Sequence, residues 1–398
     1  MAKLIEITGK AISGEWGNDD ETGNGIPVLR TTNFTNTGII NFSNVVTRDI
    51  QKKSISDKFL RNGDIIIEKS GGSDTQPVGR VIFFEAEENK YLFNNFTGLL
   101  RVIDQSICFP KFLFYVLFYN YQRGGTIPFQ NKTTGLHNLK TDDYVKSCDI
   151  PLPPLETQRQ IAANLDKVTH TIDLCNAILE KLDLLVKSRF VEMFGEPISN
   201  SMGWECCELG ACLKSIDNGK SYVCDNDCRT GDNPAILKLS AVTYGIYKPD
   251  ENKAMIDEDL FDESAEVKDN DLLFTRKNTP ELVGMSAYVF STPQKLMMPD
   301  LIFRLNAKAS CNKIYLWQLI NHDLFRPCIQ NIANGSAKSM SNISKERLSK
   351  LTIPVPPLAL QHQFAAFVEQ TDKSKWAIKQ VLEKAETLKK ALMQAYFG

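Results

Sequence analysis

The sequence predicts an α+β protein in which two pseudo-symmetric mixed α/β domains are separated by an antiparallel coiled coil of two long helices. Three observations predict this architecture. The phrase IPLPPLETQ, which begins at Ile150, returns as IPVPPLALQ at Ile353, 203 residues later. Each phrase opens a long segment with the apolar spacing of an amphipathic helix. A stretch of about 150 residues that contains short β-rich runs precedes each phrase.

Length and composition are those of an ordinary globular protein. A chain of 398 residues is long enough for two or three domains with full cores, and a hydrophobic fraction of 42% is usual. No apolar run reaches the length of a membrane span, and the N-terminus lacks the features of a secretory signal. Ten cysteines in such a chain predict reduced thiols in the cytoplasm. A net charge of −2 argues mildly against indiscriminate coating of nucleic acid.

The mixed parts repeat as well as the helices. Gly63–Ile66 matches Asn270–Leu273, and Leu29–Asn33 matches Leu237–Ala241, at offsets of 207 and 208 residues. A period this long indicates a tandem domain duplication rather than a solenoid. Short apolar runs such as Ile65–Ile67, with Gly, Asn and Asp between them, predict strands. The predicted segments are a first mixed domain at 1–150, a first spacer helix within 151–198, a second mixed domain at 199–352 and a second spacer helix within 353–398.

Each predicted spacer helix carries the seam of a coiled coil, with apolar residues at alternating +3 and +4 spacing. Lys375 and Lys389 interrupt the second seam. Matched length and register predict that the two helices pair, antiparallel if a pseudo-twofold axis relates the copies. The alternative is two independent domains that each end in a bundle helix. The predicted seam residues are Ile161, Leu165, Val168, Ile172, Leu179, Leu182, Val186, Phe364, Val368, Ile378, Leu382 and Leu392.

The sequence contains no recognisable catalytic signature. A phosphate-binding loop, a zinc-protease motif and a nucleophile elbow are all absent. Cys224 and Cys228 have the spacing of one ligand pair of a structural zinc site. A second such pair is missing from the sequence, so we expect these cysteines to be ordinary reduced thiols that bind no metal. Asp64, followed at a distance by the E-x-K sequence at Glu88, loosely resembles the Mg²⁺ site of endonucleases. No E-x-K sequence follows Asp271, the counterpart of Asp64. We therefore expect both aspartates to form the turn that precedes an apolar strand.

Small polar and basic residues recur at matching loop positions of the two mixed domains. Lysine and arginine suit contacts with phosphates, and arginine, lysine and asparagine suit the reading of base edges. Solvated loops without a ligand are the usual explanation of such residues, but their recurrence in both copies favours nucleic-acid binding. The candidate DNA-binding residues are Arg30, Thr32, Asn33, Lys69, Ser70, Lys132 and Thr133 in the first domain, and Lys238, Ser240, Arg276, Lys277, Lys338 and Ser339 in the second.

These residues together resemble a known family. A P-L-P-P-L-x-x-Q box before a helix, present twice at domain spacing, is similar to the specificity (S) subunits of type I restriction–modification systems. The segments Leu60–Ile66, Asp269–Leu273 and Gly203–Glu205 resemble the same family. The resemblance covers essentially the whole chain, and the doubled box is a fairly specific motif.

The resemblance implies a non-catalytic subunit that recognises DNA sequence. Each mixed domain would be a target recognition domain that reads one half of a split, asymmetric site in double-stranded DNA, and the helices would fix the distance between the halves. The implied partners are two methyltransferase (M) subunits, which carry the adenine-N6 chemistry and bind S-adenosylmethionine, with restriction (R) subunits as an optional addition and no membrane. This chain itself would bind no cofactor.

One feature departs from the family pattern. The first copy begins at Leu4, the counterpart of Leu209, and has no match to Gly203–Glu205, so altered docking at the N-terminus is expected. Two alternative functions remain. One is an Mg²⁺-dependent DNA endonuclease or fused restriction protein that uses Asp64 and Glu88, and the other is a protein-binding scaffold without a role on DNA.

Overall fold

The computed structural model describes residues 1–51, 55–133, 136–334 and 340–398. These residues divide into two compact units. The first combines Met1–Cys175 with Val381–Gly398, and the second is Asn176–Gln380. Each unit contains one mixed domain and a part of both long helices. Within the described ranges, no helix carries an apolar stretch of the length needed to cross a membrane.

The first mixed domain consists of short strands and three short helices, and a 40-residue helix follows it. The helices are α1 (Leu4–Thr8), α2 (Pro110–Gln122), α3 (Thr141–Ser147) and α4 (Leu155–Phe194). The strands are β1 (Ala2–Lys3), β2 (Ile12–Ser13), β3 (Asn18–Asp19), β4 (Ile26–Leu29), β5 (Val46–Asp49), β6 (Ile65–Glu68), β7 (Ser70–Gly72), β8 (Val81–Phe83), β9 (Leu92–Phe93), β10 (Thr97–Leu100), β11 (Gln130–Thr133), β12 (Leu136–Leu139) and β13 (Asp149–Ile150).

The second mixed domain has a similar inventory and is also followed by a 40-residue helix. The helices are α5 (Leu209–Cys212), α6 (Lys313–Asn321), α7 (Arg326–Asn331), α8 (Lys345–Ser349) and α9 (Leu358–Phe397). The strands are β14 (Cys206–Glu208), β15 (Leu213–Asn218), β16 (Ala235–Leu237), β17 (Asn252–Ala254), β18 (Leu272–Thr275), β19 (Lys277–Asn278), β20 (Ser286–Tyr288), β21 (Leu296–Met297), β22 (Ile302–Ala307), β23 (Ser341–Asn342) and β24 (Thr352–Pro354).

The two mixed domains share one strand order. The central sheet runs β2-β10-β6-β8 in the first unit and β15-β22-β18-β20 in the second, with antiparallel pairing throughout. A single parallel pair also recurs, β4 with β9 and β16 with β21. Because unrelated sequences would not arrive at the same order by chance, the sheets confirm the predicted plan of two pseudo-symmetric mixed α/β domains.

One strongly apolar helix packs on the central sheet of each unit. Every side chain of α2 from Phe112 to Phe118 is buried, so apolar residues cover most of the circumference of this helix. The equivalent helix α6 buries Ile314, Tyr315, Leu316 and Leu319 in the core of the second unit. Burial of each such side chain contributes about 1.5–3 kcal/mol.

The glutamine of the repeated phrase joins each long helix to its mixed domain. Gln158 is fully buried, and its Oε1 accepts a hydrogen bond from the backbone N–H of Phe109 at 2.8 Å. Gln361 is also fully buried and accepts from the N–H of Asn312 at 2.8 Å. Phe109 and Asn312 are the N-cap residues of α2 and α6. The glutamine recurs in the repeated phrase because, in each copy, its side-chain amide connects the long helix to the N-cap of a core helix.

In the first unit, the beginning of α4 pairs with the end of α9. Asn164 donates a hydrogen bond to the hydroxyl of Tyr396 at 3.1 Å. Further along α4, Asp173 lines the same cavity as Lys389. Residue numbers rise along α4 while they fall along α9, so the two helix segments are antiparallel.

In the second unit, the end of α4 pairs with the beginning of α9. Asp183 forms an ion pair with Lys375. The rings of Phe190 and Phe364 meet edge to face, with centroids 5.6 Å apart. The order of these contacts is again antiparallel, as the matched seams predict.

The predicted seam residues lie along these contacts. Phe190 and Phe194, which the heptad pattern omits, are buried with Val186 at the end of α4. The seam widens there because α4 packs on a domain core as well as on α9. Of the predicted seam, Leu165, Val186, Phe364 and Val368 are buried, and Ile161, Val168, Ile172, Leu179, Leu182, Ile378, Leu382 and Leu392 are half-buried.

Candidate nucleic-acid interface

A buried ion pair positions the first group of candidate residues. Arg80 donates to both carboxylate oxygens of Glu68, at 3.0 Å from Nε and 2.8 Å from Nη2. The same guanidinium donates to the backbone carbonyls of Thr31 and Phe34. Glu68 is 1% exposed, and its hydrogen bond raises the pKa of Arg80. The pair therefore fixes the turn at Thr31–Asn33 against the end of β6, next to Lys69.

Within this turn, the three candidate residues have different environments. Thr32 is exposed, while Asn33 is 2% exposed. The Asn33 amide accepts from the N–H of Arg30 at 2.8 Å and donates to the carbonyl of Asn41 at 2.9 Å. Arg30 donates from Nη2 to the carbonyl of Asn44, and its Nε is buried without a partner among the described residues. A DNA contact by Asn33 would require the turn to open, whereas Thr32 can be reached directly.

The other candidates of the first unit lie in or next to a three-stranded sheet, β11-β12-β7, with Lys69 immediately before β7. Lys69 donates to the Ser13 hydroxyl at 3.1 Å. Burial lowers the pKa of Lys69, and the carboxylate of Asp142 opposes this change. Ser70 opens β7 and pairs with Asn138 of β12. The predicted residues Lys132 and Thr133 lie on β11, but their side chains fall outside the described structure.

The second unit places its candidates in the same way. Lys238 is the N-cap residue of a short 3₁₀ turn at Leu239–Ala241, and Ser240 lies within this turn and donates from its hydroxyl to Glu251 at 2.8 Å. A hydrogen bond from Asn278 to Thr243, at 3.1 Å, joins the strand of Lys277 to the chain that follows this turn. The structure thus brings the turn and strand candidates together in both units. The predicted residues Lys338 and Ser339 lie outside the described residues.

Three cations form a basic cluster in the second unit: Arg276, Lys277 and Lys345. The Arg276 guanidinium lies 5.1 Å from the ring centroid of Phe303, and the Lys345 ammonium lies 5.8 Å from the same ring. Arg276 also donates two long hydrogen bonds to the Asn342 side chain. Among residues 136–334 and 340–398, none of the three cations forms an ion pair. Cations held in this way are suited to contact phosphates or base edges.

The sequence did not identify Lys345 or Phe303 as part of a site. Lys345 opens helix α8, and Phe303 is a strand residue that is 1% exposed. In the sequence, Phe303 is indistinguishable from an ordinary core residue. Only the folded chain brings Arg276 and Lys345 to its ring. Arg276 lies between β18 and β19, and Lys277 opens β19; these two candidates carried the only sequence signal for this cluster.

Asp64, the aspartate of the endonuclease alternative, and its counterpart Asp271 each bind a guanidinium group. Asp64 receives two hydrogen bonds from Arg101, both at 2.7 Å, and it is 2% exposed. Asp271 receives a hydrogen bond from Arg304 at 2.8 Å. Each aspartate also accepts a backbone N–H three residues before it, as the predicted turn requires. A carboxylate that is engaged by an arginine on one side and a backbone amide on the other has a structural role.

The thiols also have ordinary protein contacts. The Cys228 thiol lies 3.2 Å from the side-chain oxygen of Asn252, and the Cys224 thiol donates to the carbonyl of Tyr222. All ten cysteines are free. Within the described part of the chain, no three metal-ligating side chains converge on one point.

Comparison with known proteins identifies the family to which this fold belongs. Residues 2–184 and 202–388 match the family model described as the type I restriction modification DNA specificity domain. The chain therefore belongs to the type I restriction–modification DNA specificity family, as the repeated phrase predicts.

Individual relatives agree with the family assignment. The EcoEI specificity subunit of Escherichia coli is 30% identical over 193 residues, which cover 48% of this chain and only 32% of that protein. The putative MjaX specificity subunit of Methanocaldococcus jannaschii is 23% identical over 410 residues, which cover 99% of this chain and 90% of that protein. Since both relatives are named as specificity subunits, they confirm the prediction of a non-catalytic subunit and give no support to the endonuclease alternative.

A solved structure shares the fold. The crystal structure of the S subunit from M. genitalium covers 100% of this chain and 95% of its own, with a TM-score of 0.62 at 14% sequence identity. Similarity in structure at such low identity indicates that the duplicated plan, rather than the loop sequences, is what the two proteins have in common.

Proposed function

We propose that this chain reads a bipartite, asymmetric site in double-stranded DNA, with one half-site for each mixed domain. One observation carries the proposal: the two domains share their strand order but present different side chains at equivalent places. Arg30 and Thr32 of the first turn correspond to Lys238 and Ser240 of the second. A shared scaffold with different polar residues at its turns supports two readers of different sequence.

The paired helices support a second part of the proposal, a fixed number of base pairs between the half-sites. Each of α4 and α9 has 40 residues, which at about 1.5 Å per residue gives about 60 Å of helix. The same two helices pair in both units. We propose that their length and pairing set the DNA spacer.

Exposed apolar residues on the long helices support docking of methyltransferase subunits. In the first unit, Leu174 and Leu388 are 51% and 49% exposed. In the second unit, Leu184 and Trp376 are 62% and 65% exposed. Contiguous patches of exposed apolar side chains are typical of interaction surfaces, and these residues are the candidates for such a patch. We propose two M subunits as the partners, which bind S-adenosylmethionine and methylate adenine N6, with R subunits as an optional addition.

Mapping of N6-methyladenine tests this function. The chain is co-expressed with its cognate methyltransferase subunit in a host that lacks other adenine methylation, and the methylated positions are sequenced genome-wide. A two-part motif with a constant gap is expected, and it should be absent when the methyltransferase subunit is expressed alone. A continuous motif, or the same motif without this chain, would contradict the proposal.

An Arg276→Ala variant is expected to weaken or relax only the half-site read by the second domain. Loss of one good base contact costs about 1–3 kcal/mol, or about 5- to 150-fold in discrimination. Lys69→Ala, at the equivalent position between β6 and β7 of the first domain, is the matched control, and it should affect only the other half-site. Methylation frequencies at single-base variants of the motif measure both effects. A uniform loss over all sequences would instead assign Arg276 to a phosphate.

A further inference from the structure

A turn with the same backbone recurs in the two mixed domains and presents an isoleucine to solvent. In the first domain, the turn contains Gly38 and the exposed Ile39; in the second, it contains Gly245 and the exposed Ile246, at an offset of 207 residues. Both glycines have a positive φ, 83° and 77°. The N–H of each glycine donates to the carbonyl three residues before it, at 3.3 Å and 3.1 Å. The two isoleucines therefore occupy equivalent positions of the fold.

The strongly apolar core helix of each unit fixes this turn. In the first unit, Gly38 packs on the ring of Phe114 on α2, which lies 2.6 Å from the place of a Cβ atom. In the second unit, Nε1 of Trp317 on α6 donates a hydrogen bond to the carbonyl of Gly245 at 2.9 Å. Trp317 is the counterpart of Phe114 at the 203-residue offset of the phrase. The isoleucines, 42% and 48% exposed, are therefore held at the surface by a defined conformation.

An exposed leucine on a long helix recurs in the same way. Leu388 of α9 lies in the first unit and is 49% exposed, and Leu185 of α4 lies in the second unit and is 48% exposed. Their offset is that of the repeated phrase, 203 residues. Each unit thus exposes one matched isoleucine and one matched leucine. Exposure alone does not imply a match, because the exposed Ile103 has the polar Asn306 as its counterpart.

In the first unit, the turn and the helix border one cavity of about 450 Å³. Ile39 lines this cavity from the turn, and Lys389, the chain neighbour of Leu388, lines it from α9. With three carboxylates at its wall, the cavity lacks the positive excess that binds DNA phosphates, whereas apolar side chains with a charged rim suit a protein partner. The acidic and basic side chains at the cavity are Glu85, Asp166, Asp173, Lys111, His170 and Lys389.

A further matched pair of exposed apolar residues belongs to the candidate nucleic-acid interface. Leu136 opens β12, which pairs with β7 and β11. Met340 immediately precedes β23, which pairs with β19. These strands carry or adjoin the candidates for DNA contact, so this pair is separate from the turn and the long helix.

The number of matched surfaces indicates the kind of partner. Half-sites of different sequence need different residues on the two domains, whereas two copies of one protein need the same residues twice. We propose that the isoleucine and the leucine of each unit form one docking surface for one methyltransferase subunit. The surface of the first unit is Ile39 with Leu388, and that of the second is Ile246 with Leu185. The inference rests on the proposed function, and it extends the docking surface of the long helices, which includes Leu388, onto both mixed domains.

The test measures the stoichiometry of the full chain with its cognate methyltransferase subunit by native mass spectrometry. Ile39→Glu/Leu388→Glu should bind one methyltransferase subunit where wild type binds two, and Ile246→Glu/Leu185→Glu should likewise bind one. A charge in the middle of an apolar contact should weaken that contact by about 30-fold or more. A variant with all four substitutions should bind no methyltransferase subunit. The subunit that each double variant retains shows that the chain is folded.

Ile103→Glu is the matched control, because Ile103 is 71% exposed in the first unit and lacks an apolar counterpart. This variant should bind two methyltransferase subunits. Serine in place of glutamate at Ile39 and Leu388 repeats the test without a new charge and should cause a smaller loss at the same surface.

Two results would overturn the inference. One is a set of double variants that bind two methyltransferase subunits with the affinity of wild type. The other is a double variant that keeps both subunits but relaxes base preference in one half-site, since the turn would then contact DNA. A wild-type chain that binds fewer than two methyltransferase subunits would instead contradict the proposed function, so the two failures are distinguishable.

Discussion

An Arg304→Met variant is expected to unfold the second mixed domain under mild conditions and to lose the corresponding half-site. Arg304 donates from Nε to Asp271 at 2.8 Å and from Nη1 to the carbonyl of Ser264 at 3.2 Å. Asp271 and Arg304 are 7% and 9% exposed. Removal of the arginine leaves a buried carboxylate without its partner, which costs about 3–5 kcal/mol. That is a large part of the 5–15 kcal/mol that stabilises a typical domain.

Tryptophan fluorescence during urea unfolding measures this effect, because Trp204, Trp317 and Trp376 lie in the second unit and only Trp16 lies in the first. The main fluorescence transition should move to a lower urea concentration. Methylation mapping of the same variant should show that sequence preference is lost in one half of the motif.

Arg101→Met is the matched control, since Arg101 holds Asp64 in the first unit as Arg304 holds Asp271 in the second. It should remove recognition of the other half-site and leave the main tryptophan transition in place. If either variant removed both half-sites, the two units would not fold independently, and the assignment of one half-site to each domain would lose its support.

Insertion of four residues between Cys175 and Asn176 of α4 is expected to change the DNA spacer without changing either half-site. Four helical residues add about 6 Å. This is close to the rise of two base pairs. The insertion point is the boundary between the two compact units, so neither mixed domain is altered. A genome-wide methylation map of the insertion variant gives the spacer and the half-sites in one measurement.

The same four residues inserted after Gly231 are the control. Gly231 lies in an exposed loop of the second unit, and no atom approaches the place where its side chain would be. This control should keep the wild-type spacer. If the helix insertion altered the half-sites instead of the gap, the helices would have a role in base reading and the spacer proposal would be wrong.

The repeat made the fold accessible from sequence. The doubled phrase and the heptads predicted two mixed domains and two long helices, and the strands at Ile65–Glu68 and Leu272–Thr275 lie where the apolar runs indicate. The partners of Gln158 and Gln361 could not be predicted, because their hydrogen bonds join residues 49 positions apart. Only the folded chain brings the start of each long helix to the start of a core helix.

The buried ion pairs did leave a signal in the sequence. Arg101 and Arg304 occupy matching positions of the two copies at the offset of the phrase, and Asp64 and Asp271 do so at a similar offset. An acidic and a basic residue that both recur in the two copies predict a contact between them. The pattern can be recognised only when Asp64 is aligned with Asp271 and Arg101 is aligned with Arg304. The aspartates alone suggested a turn or a metal site.

The interface was less predictable than the fold. Asn33 and Thr32 are neighbours with similar polarity, yet Asn33 is buried in its turn and Thr32 is exposed. The sequence shows which side chains can form hydrogen bonds. It does not show which of them are already bonded to other groups of the protein and so are not free to contact DNA. The identity of the bases depends on such details of exposure, so it does not follow from the pattern of residue types.

The discontinuous first unit has a consequence for synthesis of the chain on the ribosome. Its core includes Leu165 from α4 and Met393 from α9, and the whole of the second unit lies between them in sequence. A nascent chain therefore cannot complete this core until translation has passed Gln380. The contiguous second unit has no such interruption, so all of its residues are synthesised before the chain of the first unit is complete.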